Sequence, residues 1–446
     1  MAASTSELQA HKHSGKGEGE TVGIALLGFG TVGAEVFRLL GENADAFAHR
    51  IGGPAEIRGI AIQNKNKLRP GVPQELLTDD AKALVARDDI DLVVEVIGGI
   101  DFPRELVLAA LNSGKSVVTA NKALVAAHAD ELAEAADRAG VLYFEAAVAA
   151  AIPVVGMLRR SLAGDQVERI SGIVNGTTNF ILDAMESTGA SYDEALAEAT
   201  RLGYAEADPT ADVEGHDAAS KAAIMASLGF HTRVKFEDVH CEGITKVTAA
   251  DIAAANDAGY SIKLLAICER LQRADGSEAV NARVHPTLVP KEHPLASVSE
   301  SYNAIFVEAE AAGSLMFYGN GAGGNPTASA VLGDVVGAAR NIVHGGRAPG
   351  ENTYANLPIA DFGEVETRYH IDMEVQDRTG VLAAISAVFA DNDVSLRTVR
   401  QEDGADTARL IVVTHAAKEA TLDTIVAALG ELEEVKAVHS VIRLGS

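Results

Sequence analysis

Residues 22–33 of the chain read VGIALLGFGTVG, an apolar run followed by a glycine-rich turn. The turn has the form G-x-G-x-x-G and consists of Gly28, Phe29, Gly30, Thr31, Val32 and Gly33. It follows a predicted strand and precedes a predicted helix, which is the context in which such a turn binds a dinucleotide. The first glycine permits a tight turn, the second lets the backbone approach a pyrophosphate, and the third lets helix and strand pack closely. These residues therefore predict a cofactor site, with a ligand-free turn as the alternative.

The alternation of strand and helix continues after this turn. Further apolar strands are predicted at 57–62, 92–97 and 116–119, each preceded by a helical stretch. Strands that alternate with helices imply a parallel sheet covered on both faces. We therefore expect an α/β protein with a Rossmann-like domain at 21–150, completed by the glycine-rich and then helical stretch 320–345.

The rest of the chain predicts two further domains. An α/β substrate domain is expected at 151–320. Its predicted elements are strands at 170–174 and 305–310 and helices at 192–201, 218–228 and 252–269. A Pro- and Gly-rich linker at 346–366 leads to residues 367–446, whose pattern βαββαβ predicts one compact unit. Residues 1–20 are polar and predict a disordered tail.

The composition limits the classes of function. A formal net charge of -26 makes nucleic acid and anionic membranes poor partners. No apolar run is long enough to cross a membrane, and residues 1–20 lack the apolar core of a signal peptide. Cys241 and Cys268 are the only cysteines, so we expect no disulfide framework, no Cys-rich zinc site and a reducing, cytoplasmic compartment.

The choice between NAD and NADP is made after the second strand of a dinucleotide-binding fold. An acidic residue there binds the ribose 2′-hydroxyl of NAD. Here the predicted strand runs into Gln63-Asn64-Lys65-Asn66-Lys67-Leu68-Arg69. Because this loop has three cations and no carboxylate, it favours the 2′-phosphate of NADP and leaves NAD open. A solvated basic loop is the alternative.

Lys122 follows the predicted strand 116–119, in the stretch TANKA at 119–123. Ligands of doubly wound sheets bind beyond the carboxyl ends of the strands. The position of Lys122 therefore suits a contact with a substrate carboxylate or the transfer of a proton. A solvated surface lysine is the alternative.

A second group of charged residues lies at 203–221, in the stretch GYAEADPTADVEGHDAASK. The Asp-Pro pair at 208–209 interrupts any helix, so Glu206 is expected on a loop. Asp217 and Lys221 are four residues apart on a predicted helix and share a face. A dehydrogenase of amino acids needs acceptors for an ammonium group and an acid or base at the reacting oxygen. Glu206 and Asp217 suit the first need and Lys221 the second, and a solvated ion pair is the alternative.

Six long stretches, in this order, resemble homoserine dehydrogenase of the long monofunctional bacterial type with a C-terminal ACT domain. The stretches are GFGTVG (28–33), VTANKA (118–123), EAAVAAAIP (145–153), GIVNGTTNF (172–180), LGYAEADPTADVEGHDAASK (202–221) and YGNGAGGNPTASAVLGDV (318–335). The resemblance spans residues 21–446 and is far more specific than one glycine turn. It implies NAD(P)-dependent interconversion of L-homoserine and L-aspartate 4-semialdehyde, in the threonine and methionine branch of aspartate-family biosynthesis.

The resemblance also implies roles in the substrate site. Lys221 matches the lysine that is the family's proton donor. Glu206 and Asp217 match residues that hold the homoserine amino group, and Asp212 matches a further acidic residue of the site.

Other matched positions concern the cofactor and an ion. Lys122 matches the lysine of the nicotinamide pocket, and its share in proton transfer stays open. Gly203 and Gly321 match residues that line the cofactor and substrate cleft. A sodium-type ion, held mainly by backbone carbonyls, is implied at Glu145, Val148, Ala150 and Ile152, although 145–153 alone reads as a buried strand and turn.

Residues 367–446 resemble a ferredoxin-like ACT domain, through the βαββαβ order and the stretch DRTGVL at 377–382. The glycine-containing turn opens a helix whose N-terminus can receive a ligand carboxylate. Because ACT domains bind amino acids at interfaces between copies, the resemblance implies threonine as effector and a homo-oligomer, dimer or tetramer. A purely structural dimerisation domain is the alternative.

Three other functions fit parts of the sequence. Another amino-acid-pathway enzyme, aspartate-semialdehyde dehydrogenase, needs a nucleophilic cysteine, and neither Cys241 nor Cys268 has a setting that would activate one. A non-catalytic amino-acid sensor would not need Lys221, Glu206 and Asp217 together. A bifunctional aspartate kinase–homoserine dehydrogenase would need a kinase before the glycine turn, and none is expected.

Overall fold

The computed structural model of the chain describes residues 15–65, 67, 69–138, 140–346, 353–403 and 407–445. These residues form two compact units. The first takes the described parts of Met1–Gly164 and Gly319–Thr353, and the second takes those of Asp165–Tyr318 and Tyr354–Ser446.

The elements are given in chain order. Up to residue 164 they are β1 (Val22–Leu27), α1 (Thr31–Glu42), α2 (Ala44–Ile51), β2 (Ala55–Ala61), β3 (Leu77–Thr78), α3 (Ala81–Ala86), β4 (Leu92–Glu95), α4 (Asp101–Asn112), β5 (Ser116–Thr119), α5 (Lys122–Arg138), β6 (Val141–Tyr143) and α6 (Val154–Gly156). Up to residue 320 they are β7 (Val167–Ile173), α7 (Gly176–Thr188), α8 (Tyr192–Leu202), α9 (Thr210–Val213), α10 (His216–Gly229), β8 (His240–Cys241), α11 (Ala249–Asp257), β9 (Tyr260–Gln272), β10 (Glu278–Pro290), β11 (Tyr302–Ala309) and β12 (Gly313–Asn320). The last are α12 (Gly324–His344), β13 (Glu366–Thr367), β14 (Tyr369–Gln376), α13 (Val381–Asp391), β15 (Leu396–Asp403), β16 (Thr407–Thr414), β17 (Ala417–Lys418), α14 (Glu419–Glu431) and β18 (Val435–Leu444).

The first unit is built on a sheet of six strands in the order β3-β2-β1-β4-β5-β6. Every pair of neighbours in it is parallel. Strand β1 is buried at all six positions, as expected for a strand with helices over both faces. The strand order reverses between β1 and β4, and ligands of this fold bind beyond the carboxyl ends of the strands at such a reversal. The Rossmann-like fold predicted from the glycine turn is confirmed.

Helix α12 belongs to the same unit, although it follows β1 by almost three hundred residues. Its buried face joins the core formed by the strands and α1, through Ala328, Val331, Leu332, Val335, Ala338, Ala339 and Val343. The glycine-rich and then helical stretch at 320–345 therefore does return to the first unit.

Part of the predicted disordered tail is fastened to α12. The backbone N–H groups of Lys16 and Gly17 donate to the carbonyl oxygens of Ile342 and Val343, at 2.9 and 3.0 Å. The expectation of disorder does not hold for this stretch, because the end of α12 offers it hydrogen-bond acceptors. Residues 1–14 lie outside the described part of the chain.

The second unit is built on a ten-stranded mixed sheet with the path β12-β11-β7-β9-β10-β18-β14-β16-β15, and β8 pairs with β10 beside this path. Its two longest strands, β9 and β10, pair antiparallel over thirteen residues from Glu278↔Gln272 to Pro290↔Tyr260. The helix predicted at 252–269 is wrong beyond Asp257, where helix α11 ends, because residues 260–269 belong to β9. Residues 261–268 are all buried, so the strand shows no alternation, and a continuous apolar run does not distinguish a helix from a buried strand.

The C-terminal βαββαβ order is confirmed, and its strands lie in the order β18-β14-β16-β15. These four strands are not a separate sheet. Strand β18 pairs parallel with β10 through Thr287↔Arg443 and Leu288↔Leu444. The stretch predicted as a linker also pairs with β10, since the Val280 N–H donates to Pro358 O at 2.9 Å. Residues 347–352 of that stretch lie outside the described part of the chain.

A group of polar side chains, here termed the Arg443 cluster, lies where β18 meets β10. The guanidinium of Arg443 donates to both carboxylate oxygens of Glu419 at 3.0 Å and to Glu242 Oε2 at 2.8 Å. Glu419 is fully buried and also accepts from the hydroxyl groups of Thr367 and Tyr369. Burial raises the pKa of Glu242, but the hydrogen bond from His240 and the charge of Arg443 outweigh it and bring that pKa to about 2. The cluster therefore joins two carboxylates through one cation.

Candidate active site

The glycine turn of the first unit has the shape that a pyrophosphate needs. Gly28 has a φ of +103°, and a Cβ there would lie 2.7 Å from Val96 O. A Cβ at Gly33 would lie 2.2 Å from Gly28 O, whereas one at Gly30 would have no atom within 4 Å. Gly30 is the N-cap of α1, and no side chain in the described part of the chain caps this helix. The N-terminal N–H groups of α1 are thus suited to an anion, and the three glycines fit a dinucleotide.

The remaining residues of the turn support this geometry. Phe29 packs edge-to-face on Phe37 of α1, with ring centroids 5.7 Å apart. Thr31 and Val32 form the first turn of α1. A Cβ at Gly324, the first residue of α12, would lie 3.0 Å from Thr31 Cγ2, so the two helices begin side by side. Gly321 lies in the turn before α12, on the same side of this unit as the glycine turn.

The basic loop after β2 places one cation next to the glycine turn. The guanidinium of Arg69 lies 5.9 Å from the centre of the Phe29 ring. Lys65 pairs instead with Asp79, at 2.8 Å. The sequence alone gave no reason to prefer one cation of this loop over another. In the structure Arg69 differs from Lys65 because it contacts the glycine turn.

Lys122 is exposed at the first position of α5, directly beyond the carboxyl end of β5. The loops that follow β4 and β5 are held by a residue that sequence reasoning missed. Glu95, fully buried at the end of β4, accepts hydrogen bonds from Thr119 Oγ1 at 2.6 Å and from the Ile97 N–H at 2.8 Å. Burial raises the pKa of Glu95, and these hydrogen bonds partly offset the effect. The sequence signal that could have identified Glu95 is a carboxylate at the end of an otherwise apolar strand.

The second unit brings three of the predicted substrate-site residues together. Lys221 and Asp217 are both buried on α10, and their Nζ and Oδ2 atoms are 2.7 Å apart. Lys221 Nζ also donates to Val174 O at 2.5 Å. Asp212 joins them through a residue that the sequence did not single out, since Nδ2 of Asn175 donates to Asp212 Oδ1 at 2.7 Å and to Asp217 Oδ2 at 2.9 Å.

Glu206 is not part of this hydrogen-bonded group within the described residues. It is exposed on the loop after α8 and makes no hydrogen bond or ion pair with any residue in the described ranges. Gly203 ends α8 in the left-handed conformation, with a φ of +81°. The next residue is anchored at the start of α7, because Tyr204 O accepts from Thr177 Oγ1 at 2.7 Å. The loop that carries Glu206 is therefore tied beside Asn175.

The segment implied to hold an ion begins with a 3₁₀ turn, Glu145–Ala147, rather than the strand that its apolar sequence indicates. The Glu145 carboxylate accepts from the backbone N–H groups of Val155 and Gly156, at 2.8 and 2.7 Å. It therefore binds the N-terminal N–H groups of the following helix. Ala149 and Ala150 both have positive φ, +53° and +44°, and such strain is often associated with function. Val148 and Ile152 flank this pair and are buried.

No activated thiol is present in the part of the chain that the structure describes. Burial raises the pKa of the Cys268 thiol to about 12 and that of Cys241 to about 11. Both remain protonated at neutral pH, which excludes them as nucleophiles of the aspartate-semialdehyde dehydrogenase type. No helix within the described residues is long and apolar enough to cross a membrane.

The C-terminal module has a glycine turn of its own. Gly380, with a φ of +95°, is the N-cap of α13, and this helix has no side-chain cap among the described residues. Arg378 of the same turn pairs with Glu434 at 3.1 Å. The N–H groups at this helix N-terminus are therefore suited to a carboxylate ligand.

Comparison with known proteins decides the family. Models for the homoserine dehydrogenase NAD-binding domain, for homoserine dehydrogenase and for the ACT domain match residues 28–145, 153–336 and 369–434. A homoserine dehydrogenase of Corynebacterium glutamicum is 71% identical over 431 residues, which are 96% of this chain and 97% of the relative. The chain belongs to the homoserine dehydrogenase family.

Solved structures of homoserine dehydrogenases agree with this membership. One from Thiobacillus denitrificans is 38% identical, with a TM-score of 0.90 over 96% of this chain and 99% of that one. A hyperthermophilic archaeal homoserine dehydrogenase in complex with NADPH is 29% identical, with a TM-score of 0.59 over 72% of this chain and 98% of that one. The chain is thus an oxidoreductase that interconverts L-homoserine and L-aspartate 4-semialdehyde with a nicotinamide cofactor.

Proposed function

We propose that Lys221 is the proton donor of this homoserine dehydrogenase and that Glu206, Asp212 and Asp217 bind the substrate ammonium group. The observation that carries the proposal is the hydrogen-bonded group formed by the buried Lys221 and Asp217 with the half-buried Asp212. A buried cation needs such partners because burial without them is strongly unfavourable. An ion pair whose only role is to solubilise a helix face would lie at the surface.

These residues divide the chemistry with the cofactor. When bound at the glycine turn, a nicotinamide cofactor would supply or accept the hydride. Lys221 gives a proton to the aldehyde oxygen during reduction and takes it from the homoserine hydroxyl during oxidation. Asp217 and Val174 O hold the Lys221 ammonium in one orientation, and Asp217, Asp212 and Glu206 offer anionic acceptors to the substrate ammonium. Lys122 is the second candidate for the proton, supported by its position beyond β5.

The cofactor is proposed to be NADP(H), with NAD(H) as the weaker alternative. Residues 28–33 hold its pyrophosphate, and Lys122, Gly203 and Gly321 line its site. The contact of Arg69 with Phe29 supports the preference, because a guanidinium beside the glycine turn suits a 2′-phosphate. The NADPH bound by the archaeal relative adds further support.

A sodium ion is proposed at the backbone carbonyls of Glu145, Val148, Ala150 and Ile152. The paired left-handed residues, Ala149 and Ala150, support a loop shaped by a ligand. Oxygen donors suit a hard cation of this kind, and no cluster of three or more His, Cys, Asp or Glu side chains occurs among the described residues.

Regulation and organisation complete the proposal. We propose 21–150 with 320–345 as the cofactor domain, 151–320 as the substrate domain, 346–366 as the connection, and 367–446 as the regulatory ACT domain. Threonine is the proposed effector, supported by the uncapped α13 N-terminus at Gly380. We also propose that the protein is a homo-oligomer, either a dimer or a tetramer. A cytoplasmic location is proposed because the two free cysteines suit a reducing compartment.

Steady-state kinetics test the central assignment. Lys221→Ala should lower kcat by about 10²–10⁴-fold, the usual contribution of general acid–base catalysis, and leave the KM for NADPH nearly unchanged. Lys122→Ala is the matched comparison. If Lys221→Ala lowers kcat less than about tenfold while Lys122→Ala lowers it more, Lys122 is the proton donor.

The same assay on the unaltered enzyme tests the other parts. We expect kcat/KM to be higher with NADPH than with NADH, activity to rise when sodium chloride replaces choline chloride, and threonine to inhibit. Equal use of both cofactors, indifference to sodium or indifference to threonine would each contradict the corresponding part. Light scattering measures the oligomer, and a monomeric mass would contradict that part.

A further inference from the structure

Asn175 stands directly after β7 and is buried. Its Oδ1 accepts hydrogen bonds from the Thr178 N–H at 2.9 Å and from Thr178 Oγ1 at 3.0 Å, which makes it the N-cap of α7. Its Nδ2 donates to Asp212 Oδ1 at 2.7 Å and to Asp217 Oδ2 at 2.9 Å. One amide therefore links a helix end to two carboxylates from two other helices.

The surroundings admit only one orientation of this amide. A backbone N–H faces its oxygen, and two carboxylate oxygens face its nitrogen. Rotation by 180° would place the amide oxygen against two carboxylates and leave a backbone donor facing an NH₂ group. The helix end thus fixes the direction in which the two N–H groups of Asn175 point.

We propose that Asn175 is a positioning residue for the substrate ammonium group, which it serves by holding the carboxylates of Asp212 and Asp217 next to each other. This inference rests on the proposed function, in which both carboxylates bind that ammonium. Two carboxylates that share a small space repel each other and tend to share a proton. The amide offsets this repulsion with one hydrogen bond to each, so that both stay charged and oriented before the substrate arrives.

The residue before Asn175 serves the same site. Val174 O accepts from Lys221 Nζ at 2.5 Å, and Lys221 pairs with Asp217. The end of β7 thus orients the proposed proton donor through a carbonyl and the ammonium acceptors through an amide. A shift of this dipeptide would displace all three groups at once.

Two substitutions separate the helix cap from the amide donors. Ser, Asp and Asn are about equally good N-caps, so Asn175→Ser and Asn175→Asp should both keep the oxygen that caps α7. Neither offers two N–H donors to Asp212 and Asp217. We expect Asn175→Ser to keep a melting temperature within a few degrees of the unaltered enzyme, and both variants to raise the KM for L-homoserine by about tenfold or more. The KM for NADP+ should not change.

The pH profile adds a readout that a structural role would not move. The carboxyl group introduced by Asn175→Asp would face Asp212 of α9, Asp217 and Lys221 of α10 and Thr178 of α7. At lower pH this group gains a proton and with it one O–H donor. The defect of Asn175→Asp, taken as a ratio to the unaltered enzyme at each pH, should therefore shrink as the pH falls, whereas that of Asn175→Ser should not.

Two further variants make the outcomes decisive. Thr178→Val removes a hydroxyl that contacts the backbone oxygen and Oδ1 of Asn175 but neither carboxylate, so it should lower the melting temperature slightly and leave the KM for L-homoserine unchanged. If it raises that KM as much as Asn175→Ser does, or if Asn175→Ser leaves the KM within twofold, the positioning role is overturned.

Asp217→Asn tests the proposed function on which this inference rests, which is the binding of the substrate ammonium group. If Asp217→Asn leaves the KM for L-homoserine unchanged, the ammonium assignment itself fails; if only the Asn175 variants leave it unchanged, the positioning inference alone fails.

Discussion

The six-stranded sheet of the first unit and the ten-stranded sheet of the second are assembled in opposite ways. In the first, all pairs are parallel, and β1, β4, β5 and β6 lie side by side in chain order. In the second, β10 pairs with β9, its neighbour along the chain, and with β18, which follows it by about 150 residues. The first sheet is thus specified mainly by local signals, and the second depends on contacts between distant segments.

This contrast extends to the polar groups. The glycine turn of the first unit is six consecutive residues, with Gly33 against Gly28. The Arg443 cluster of the second unit joins Glu242, Glu419 and Arg443, and its bond from Arg443 to Glu242 spans 201 positions. Substitutions in the first case should act locally, on cofactor affinity. Substitutions in the second should act on the stability of the whole unit.

The largest effect is expected at the Arg443 cluster. Arg443→Ala would leave the fully buried Glu419 without its cation, and breaking a buried ion pair in this way costs about 3–5 kcal/mol. Urea unfolding measures this loss. Arg378→Ala is the matched control in the same module, since its pair with Glu434 is exposed and should contribute less than about 1 kcal/mol. Similar losses for the two variants would show that the cluster does not hold the sheet together.

A smaller effect is expected at the glycine turn. Gly33→Val would place a Cβ 2.2 Å from Gly28 O, and overpacking of this kind costs about 1–3 kcal/mol. We expect the KM for NADPH to rise by about ten- to a hundredfold. Gly41→Ala, on the same helix, meets no atom within 4 Å and should leave that KM unchanged. An equal rise in the KM for NADPH for both variants would mean that any substitution on α1 weakens cofactor binding, and that the close contact of Gly33 with Gly28 is not the cause.

The smallest effect concerns pH. Burial, helped by the charge of Arg443, lowers the pKa of His285 on β10 well below its usual range. The folded protein therefore holds His285 neutral while the unfolded chain takes up a proton, so stability falls as the pH drops below about 6.5, by up to about 1.4 kcal/mol per pH unit. Unfolding at pH 7.5 and 5.5 should show less pH dependence in His285→Gln. The exposed His415→Gln should match the unaltered enzyme, and a flattened profile in it would contradict the assignment.

The two sheets also differ in how much of them the sequence predicts. Strand β1 and the helix after it follow from residues 22–33, because the signal is local. The pairing of Asp217 with Lys221 follows from a spacing of four on a helix. Asn175 could not be found in this way, since its partners Asp212 and Asp217 lie 37 and 42 positions away. Strand β9 was misassigned because the side chains on both of its faces are buried, and burial on both faces removes the alternation that identifies a strand.

The pairing of β18 between β10 and β14 has a consequence for synthesis of the protein. Among the described strands, β18 is the last to leave the ribosome, yet it occupies an interior place in its sheet. Until it arrives, β10 and β14 both present unpaired backbone groups, and exposed strand edges invite association with other chains. The nascent second unit is thus most vulnerable to aggregation just before β18 emerges, and β14, which pairs with β18 at seven positions against two for β10, presents the longer unpaired edge.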